Sequence, residues 1–226
     1  MKRIVQPEIL DTLPPDDPRA LRSRRDLRYV NSWMGNAGIM ARVLKENFPG
    51  TPKKITELGA GDGNFLLAVG GNISPRWPDV KATLLDLQKS VTPPTLAAFT
   101  KFGWHAEAVV ADVFGWPQIE TEIVVANLFI HHFEDAKLKE LFCAIASRAK
   151  LFIAVEPHRF HFPFPCAQML RLIGCSKITL HDAEASIAAG FVRKEISTLW
   201  PDKQNWQLTE RRAGLFSHLF VAQNIS

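Results

Sequence analysis

The chain has 226 residues, 46% of them hydrophobic and 22% charged, the balance of a globular protein with one full core. Its formal net charge is +4, with Arg19, Arg22, Arg24, Arg25 and Arg28 gathered in one N-terminal stretch that a solvated or substrate-facing helix explains without nucleic acid. No apolar run reaches membrane-spanning length, the start lacks a leader's apolar core, and the three cysteines, Cys143, Cys166 and Cys175, form no C-x-x-C pair; the expected setting is the reducing cytoplasm, with no stable membrane insertion.

From Lys54 onward the pattern alternates between strands and helices. "KITEL" reads as a strand, and "GDGNFLLAVGGN" opens a helix directly after glycines. "KATLLDL" is the next strand, followed by the proline-initiated helix "PPTLAAFTKF", then the strands "AEAVVADV" and "TEIVVANL". In "EDAKLKELFCAIASRA", Leu138, Leu141, Phe142 and Ile145 recur at helical spacing. "KLFIAVE" is a fifth strand, "DAEASIAAG" a short helix ending in glycine, and "FVRKEIS" and "LFSHLFVAQ" read as late strands. Apolar strands separated by helices imply a doubly wound, mostly parallel α/β sheet covered on both faces. Residues 1–50 form an N-terminal helical extension, and residues 51–226 the α/β domain.

Ligands of such sheets bind beyond the carboxyl ends of the strands, so the residues there carry the argument. In "ITELGAGDGNFLL" the glycines Gly59, Gly61 and Gly63 allow a tight turn and a close backbone approach, but Asn64 stands where a dinucleotide fingerprint needs its third glycine. Glu57, at the first strand's end, would repel a pyrophosphate and suits a ligand with cationic character. These features disfavour a nicotinamide oxidoreductase. Asp86 ends the second strand with an acceptor-only carboxylate matched to ribose hydroxyls. Asp112, with Val113 and Phe114, offers an acceptor for an exocyclic amine beside an apolar surface.

With "ELGAGDGNF", "LLDL", "ADVF" and "ANLFIHHF" in this order, the chain resembles the class I, Rossmann-like S-adenosylmethionine-dependent methyltransferases, in their small-molecule branch. The resemblance covers roughly residues 50–225 and implies a seven-stranded sheet. It implies that Gly59, Gly61 and Gly63 line the methionine part of S-adenosylmethionine with Glu57 nearby. Asp86, with Leu87 beside it, would hold the ribose, Asp112 and Val113 the adenine, and Asn127 the next edge of the pocket. "PEILDTLPPDDPRALRSRRDLRYVNSWMGN" resembles the N-terminal region of bacterial methyltransferases of aromatic polyketide or quinone-type metabolism. That likeness suggests a lid in which Arg25, Asn31, Trp33 and Met34 close over cofactor or substrate.

A hydroxyl acceptor gains from a base, and His131 and His132 follow the fourth strand, where the methyl group is expected. Adjacent residues cannot face one pocket equally, and His132 is placed ahead of His131; the competing reading is that the pair caps and packs the next helix. Glu156 and His158, beyond the fifth strand, could orient a histidine or bind the acceptor, or form a local salt bridge. A metal on His131, His132, His158 and His161 is the alternative use of these side chains, but their spacing does not put two ligands on one helix face, and no metal is expected. Phe160, Phe162, Phe164, Met169 and Leu170 suggest a lining for an aromatic or lipophilic acceptor, or else ordinary core. Glu210 and His218 are assigned to a sheet-edge hairpin. The competing functions are a nucleic-acid or protein methyltransferase, for which no recognition motif is seen, and a non-catalytic scaffold that binds cofactor without turnover.

Overall fold

The computed structural model describes residues 2–14, 16–74, 76–115, 121–160, 170–172 and 174–226. His161, Phe162, Phe164, Cys166 and Met169 of the aromatic segment lie outside the described residues, as does the Asn31 side chain.

Seven strands form one sheet in the order β3-β2-β1-β4-β5-β7-β6. They are β1 (Lys54–Leu58), β2 (Lys81–Asp86), β3 (His105–Val110), β4 (Ile123–Asn127), β5 (Leu151–Pro157), β6 (Trp206–Ala213) and β7 (Ser217–Asn224). β1 to β5 pair in parallel, whereas β7 runs antiparallel to both β5 and β6. Every residue of β4 and of β5 is buried, which is why both segments read as continuous apolar runs rather than alternating ones. β6 and β7 make the expected hairpin, turned at Gly214 with φ +71°. The chain order reverses between β1 and β4, and the crevice beyond their carboxyl ends is where an open sheet of this kind accepts ligands.

One sheet face packs on α3 (Asn36–Asn47) and α4 (Asn64–Ile73), through Met40, Leu44, Leu66 and Val69. Trp104 completes that layer, donating its indole N–H to the Trp77 carbonyl at 2.7 Å. The other face packs on α6 (Asp135–Ala146) through Leu138, Leu141, Phe142 and Ile145, the four positions picked out by helical spacing. Between β2 and β3 lies α5 (Pro93–Ala98).

"FVRKEIS" is not a strand. Phe191 makes only an isolated bridge to His158, and the segment turns into α8 (Glu195–Leu199). Glu195 binds the Val192 amide and the Arg159 guanidinium, a local arrangement that outcompetes extended pairing. The helix before it, α7 (Lys177–Ala189), starts earlier than "DAEASIAAG" suggests, because Ser176 caps it by accepting from the Thr179 amide.

The N-terminal region comprises a single turn α1 (Ile9–Thr12) and α2 (Pro18–Met34), which Asp17 caps with Pro18 at its first position. Both lie on α7. Asp26 of α2 accepts from the Ser176 amide and the Thr179 hydroxyl, while Asp182 of α7 accepts from the Ile9 and Leu10 amides at 2.8 and 3.0 Å.

Phe220 is fully buried among Phe142, Phe152 and Trp200, with ring centroids 5.5–6.3 Å away. Phe220→Ala is expected to cost about 3–5 kcal/mol. Urea unfolding should show this as a lower midpoint with little change in slope.

Candidate active site

A cavity of about 810 Å³ opens at the carboxyl ends of β1, β2 and β4. Its described lining includes Glu57, Gly59, Gly61, Asp86, Leu87, Asp112, Val113 and Asn127, so eight of the nine expected cofactor positions meet in one space. The ninth, Gly63, is not among the described lining residues. It begins α4 at φ +77°, and a Cβ there would meet Leu84 Cδ1 at 2.9 Å; this glycine serves helix–sheet packing.

The glycine-turn half of the cavity is held from behind by hydrogen bonds. Asp86 accepts from the Gly61 amide through Oδ2 and from the Gln88 amide through Oδ1, each at 2.8 Å. A carboxylate has about four lone-pair directions, so two remain for the hydroxyls of a ligand. Gly59, at φ +65°, lies so close to the Phe129 ring that a Cβ would come within 2.0 Å of it. Asn127 accepts from Asn36 Nδ2 at 2.9 Å, and Asn36 accepts from the Ser217 hydroxyl at 2.7 Å. Asn36 is fully buried.

Glu57 is 2% exposed, and its Oε2 has no hydrogen-bond partner among the described residues. Burial, reinforced by the carboxylates of Asp62 and then Asp86, pushes its pKa well above the usual range. Such a group is satisfied by a cationic or hydrogen-bond-donating ligand. The unpartnered carboxylate oxygen, the glycine cradle and the fixed Asp86 together fit a nucleoside carrying a positive amino-acid-like group.

At the other end of the cavity stand His131, His132, Phe129, Phe133, Glu8, Leu10, Asp11 and Ser186. The two histidines differ sharply. His131 is 2% exposed, with Nδ1 2.7 Å from Glu156 Oε2 and Nε2 3.4 Å from Glu8 Oε1. Burial alone would lower its pKa, but the hydrogen bonds and charges of Glu156 and Glu8 prevail and raise it to about 9. The same contacts lower the pKa of Glu8 against the effect of its own burial, so the two partners agree. A ring already protonated near neutral pH and occupied at both nitrogens cannot take a proton from an acceptor. His132 is partly exposed, and its Nδ1 lies 3.2 Å from Asp11 Oδ2.

Several expected site residues fall elsewhere. Glu156 is fully buried behind the cavity wall, and neither it nor His158 is among the described lining residues. Glu156 binds the backbone of the turn after β4, while His158 stacks on His218 with ring centroids 5.7 Å apart. His158 therefore joins no nitrogen-rich cluster with His131 and His132. Glu210 and His218 pair within the hairpin at 2.8 Å. From α2 it is Arg24, Leu27, Arg28 and Ser32 that line the cavity, whereas Arg25 is exposed, Trp33 is 58% exposed against Phe216, and Met34 is not among the described lining residues. Arg24 reaches Gln88 Oε1 at 2.8 Å and Arg28 reaches Asp62 at 2.7 Å, which clamps α2 across the glycine-turn half. Sequence reading missed Glu8, Asp11, Asn36 and Phe129. Only Phe129, between the strand and the histidines, carried a local signal.

No protein-family model matches the chain, and neither does any curated protein sequence. Solved structures do match. The plantazolicin methyltransferase BpumL in complex with SAH superposes with a TM-score of 0.63 at 13% identity, over 92% of this chain and 91% of that one. The chain has the class I methyltransferase fold. Human N-acetylserotonin methyltransferase in complex with SAM gives a TM-score of 0.56 at 15% identity, over 96% of this chain and 61% of that one. The pyocyanin biosynthetic protein PhzM gives 0.59 at 16% identity, over 92% and 59%. Glu57, Asp86 and Asp112 lie at the ends of, or just beyond, the first three strands of this methyltransferase fold, and the histidine pair follows the fourth.

The His131 ion pair has a testable consequence for stability. The folded chain keeps this proton up to about pH 9, whereas the unfolded chain releases it near 6.5. The contribution is therefore complete below pH 6.5 and is lost as pH rises through about 9. Urea titrations across this window should show wild-type stability falling relative to His131→Gln by on the order of 3 kcal/mol.

Proposed function

We propose that the chain is an S-adenosylmethionine-dependent methyltransferase that methylates a hydroxyl of a small aromatic or lipophilic acceptor, with His132 as base. The observation that carries this reading is a single cavity joining the Glu57, Gly61 and Asp86 end to the His132 and Phe129 end. Bound S-adenosylmethionine supplies an electrophilic methyl group on a positively charged sulfur.

The chain's own residues do the rest. Asp86 accepts from the ribose hydroxyls, and Glu57 faces the cationic end of the ligand. Phe114, Phe133 and Phe129 form an apolar wall in which the Phe133 ring is in edge-to-face contact with each of the other two, at centroid distances of 5.2 Å, which suits a flat acceptor. Arg24 and Arg28 hold α2 over the opening and limit water access. His132 would take the proton of the acceptor hydroxyl as that oxygen attacked the methyl carbon that S-adenosylmethionine would supply, with S-adenosylhomocysteine as the leaving group. No metal enters this reading, because the proton on His131 already meets Glu8 and Glu156. That matters because Glu8, His131 and His132 bring ligand-type atoms within 4.8 Å of one another.

Calorimetry with S-adenosylhomocysteine should show binding to the wild type, weakened by about 1.5–3 kcal/mol in Asp86→Ala. No binding by the wild type, or equal binding by both, overturns the cofactor assignment. In labelled-methyl assays against a panel of phenols and quinols, His132→Ala should lose turnover by about 10²–10⁴-fold while retaining cofactor affinity. A scaffold without catalysis would bind and turn over nothing.

A further inference from the structure

Residues 3–11 form a strap across the sheet's ligand-binding edge. Arg3 donates to the carbonyls of His131, Phe133 and Ala189, the Ile4 amide donates to the Ala188 carbonyl, and Asp182 caps the α1 turn. Held there, the strap brings two carboxylates, Glu8 and Asp11, to two adjacent histidines. Glu8 also accepts from the Ser186 hydroxyl and meets His131, which is saturated. Asp11 meets His132 at the cavity wall.

We propose that Asp11 is the positioning residue for the His132 base, so that the acceptor end of the site is assembled from residues far apart in the chain. The inference rests on the reading of His132 as base. The Asp11 carboxylate, its Oδ2 at ion-pair distance 3.2 Å from Nδ1, favours a proton on the nitrogen it faces, which leaves Nε2 with the lone pair. The ring of His131, its centroid 4.3 Å away, and that of Phe129, at 6.4 Å, restrict rotation of His132. Glu156 orients a histidine too, but the wrong one for proton transfer: its partner is the buried His131. The strap carboxylate supplies to His132 what the strand carboxylate does not.

The test reads the ring directly and needs no acceptor. Long-range proton–nitrogen spectra of protein labelled with ¹⁵N-histidine report which ring nitrogen carries the proton. The His132 signal is assigned by its absence in His132→Gln. The wild type should show the Nδ1–H tautomer, Asp11→Ala a mixture or the opposite tautomer, and Asp11→Glu recovery toward wild type. Turnover of the best phenol from the panel should fall about tenfold or more in Asp11→Ala and recover in part in Asp11→Glu. Unchanged S-adenosylhomocysteine binding certifies the fold of each variant. A wild-type tautomer in Asp11→Ala overturns the proposal, as does lost turnover with the tautomer unmoved. If His132→Ala instead keeps full turnover, the base reading fails, whatever the tautomer result.

Discussion

The histidine end of the cavity depends on one buried carboxylate, Glu156. Beyond β4 the chain turns through Leu128, held at φ +51°, a conformation costly for a residue with a branched side chain. The turn aims the amides of Phe129, Ile130 and His131 inward, and Glu156 accepts from all three at 3.0–3.4 Å. Without an anion these buried donors would be unsatisfied; without a cation the anion would be prohibitively desolvated. His131 supplies the cation. Strand end, turn and imidazolium are thus one electrostatic unit, and removing any member leaves an uncompensated buried charge or donor.

Glu156 and Glu8 occupy both ring nitrogens of His131, while His132, also in the cavity lining, has its Nδ1 3.2 Å from Asp11. The same cavity is lined by Glu57, Asp62, Asp86 and Asp112, so a chain with net charge +4 presents an acidic interior to its ligand. An acidic, partly desolvated cleft favours a ligand bearing positive charge, whereas Glu57 alone would sit badly beside a pyrophosphate. Arg28 neutralises Asp62 and ties the roof to the glycine turn, so charge balance and closure come from one contact.

What could be read from the sequence was local. The glycine turn, the strand-end acids and the strand-to-histidine segment are specified by neighbours within a few residues, and they fall where the pattern puts them. Gly63 is the exception, because a turn glycine facing a ligand and one facing Leu84 have the same local signature. The α2 face shows why phase matters more than composition. Arg24 and Arg28, four residues apart, share the inward stripe, while Arg25 and Trp33 lie on another stripe facing out. A helix carrying arginines on both stripes does not announce which one is buried. "FVRKEIS" has strand-like content, but its fate is set by Arg159 and Glu195 meeting across the fold. Asn36 and Glu8 had no local signal at all, since their partners Asn127 and His131 lie far away in the chain.

The distinction between local and distant partners divides the site itself. Glycine turn, Asp86 and Glu156 are joined by contacts within the contiguous α/β segment from Lys54 to Pro157. The carboxylates that complete the histidines come from residues 8 and 11, and these are in place only when the strap lies on α7. Hydrogen bonds of Arg3, Ile4, Glu8, Ile9 and Leu10 hold that strap, while the Asp11 side chain at its end is 58% exposed. The two halves of the cavity are therefore separable: the sheet positions the glycine turn and Asp86, and the N-terminal strap positions the carboxylates beside the two histidines.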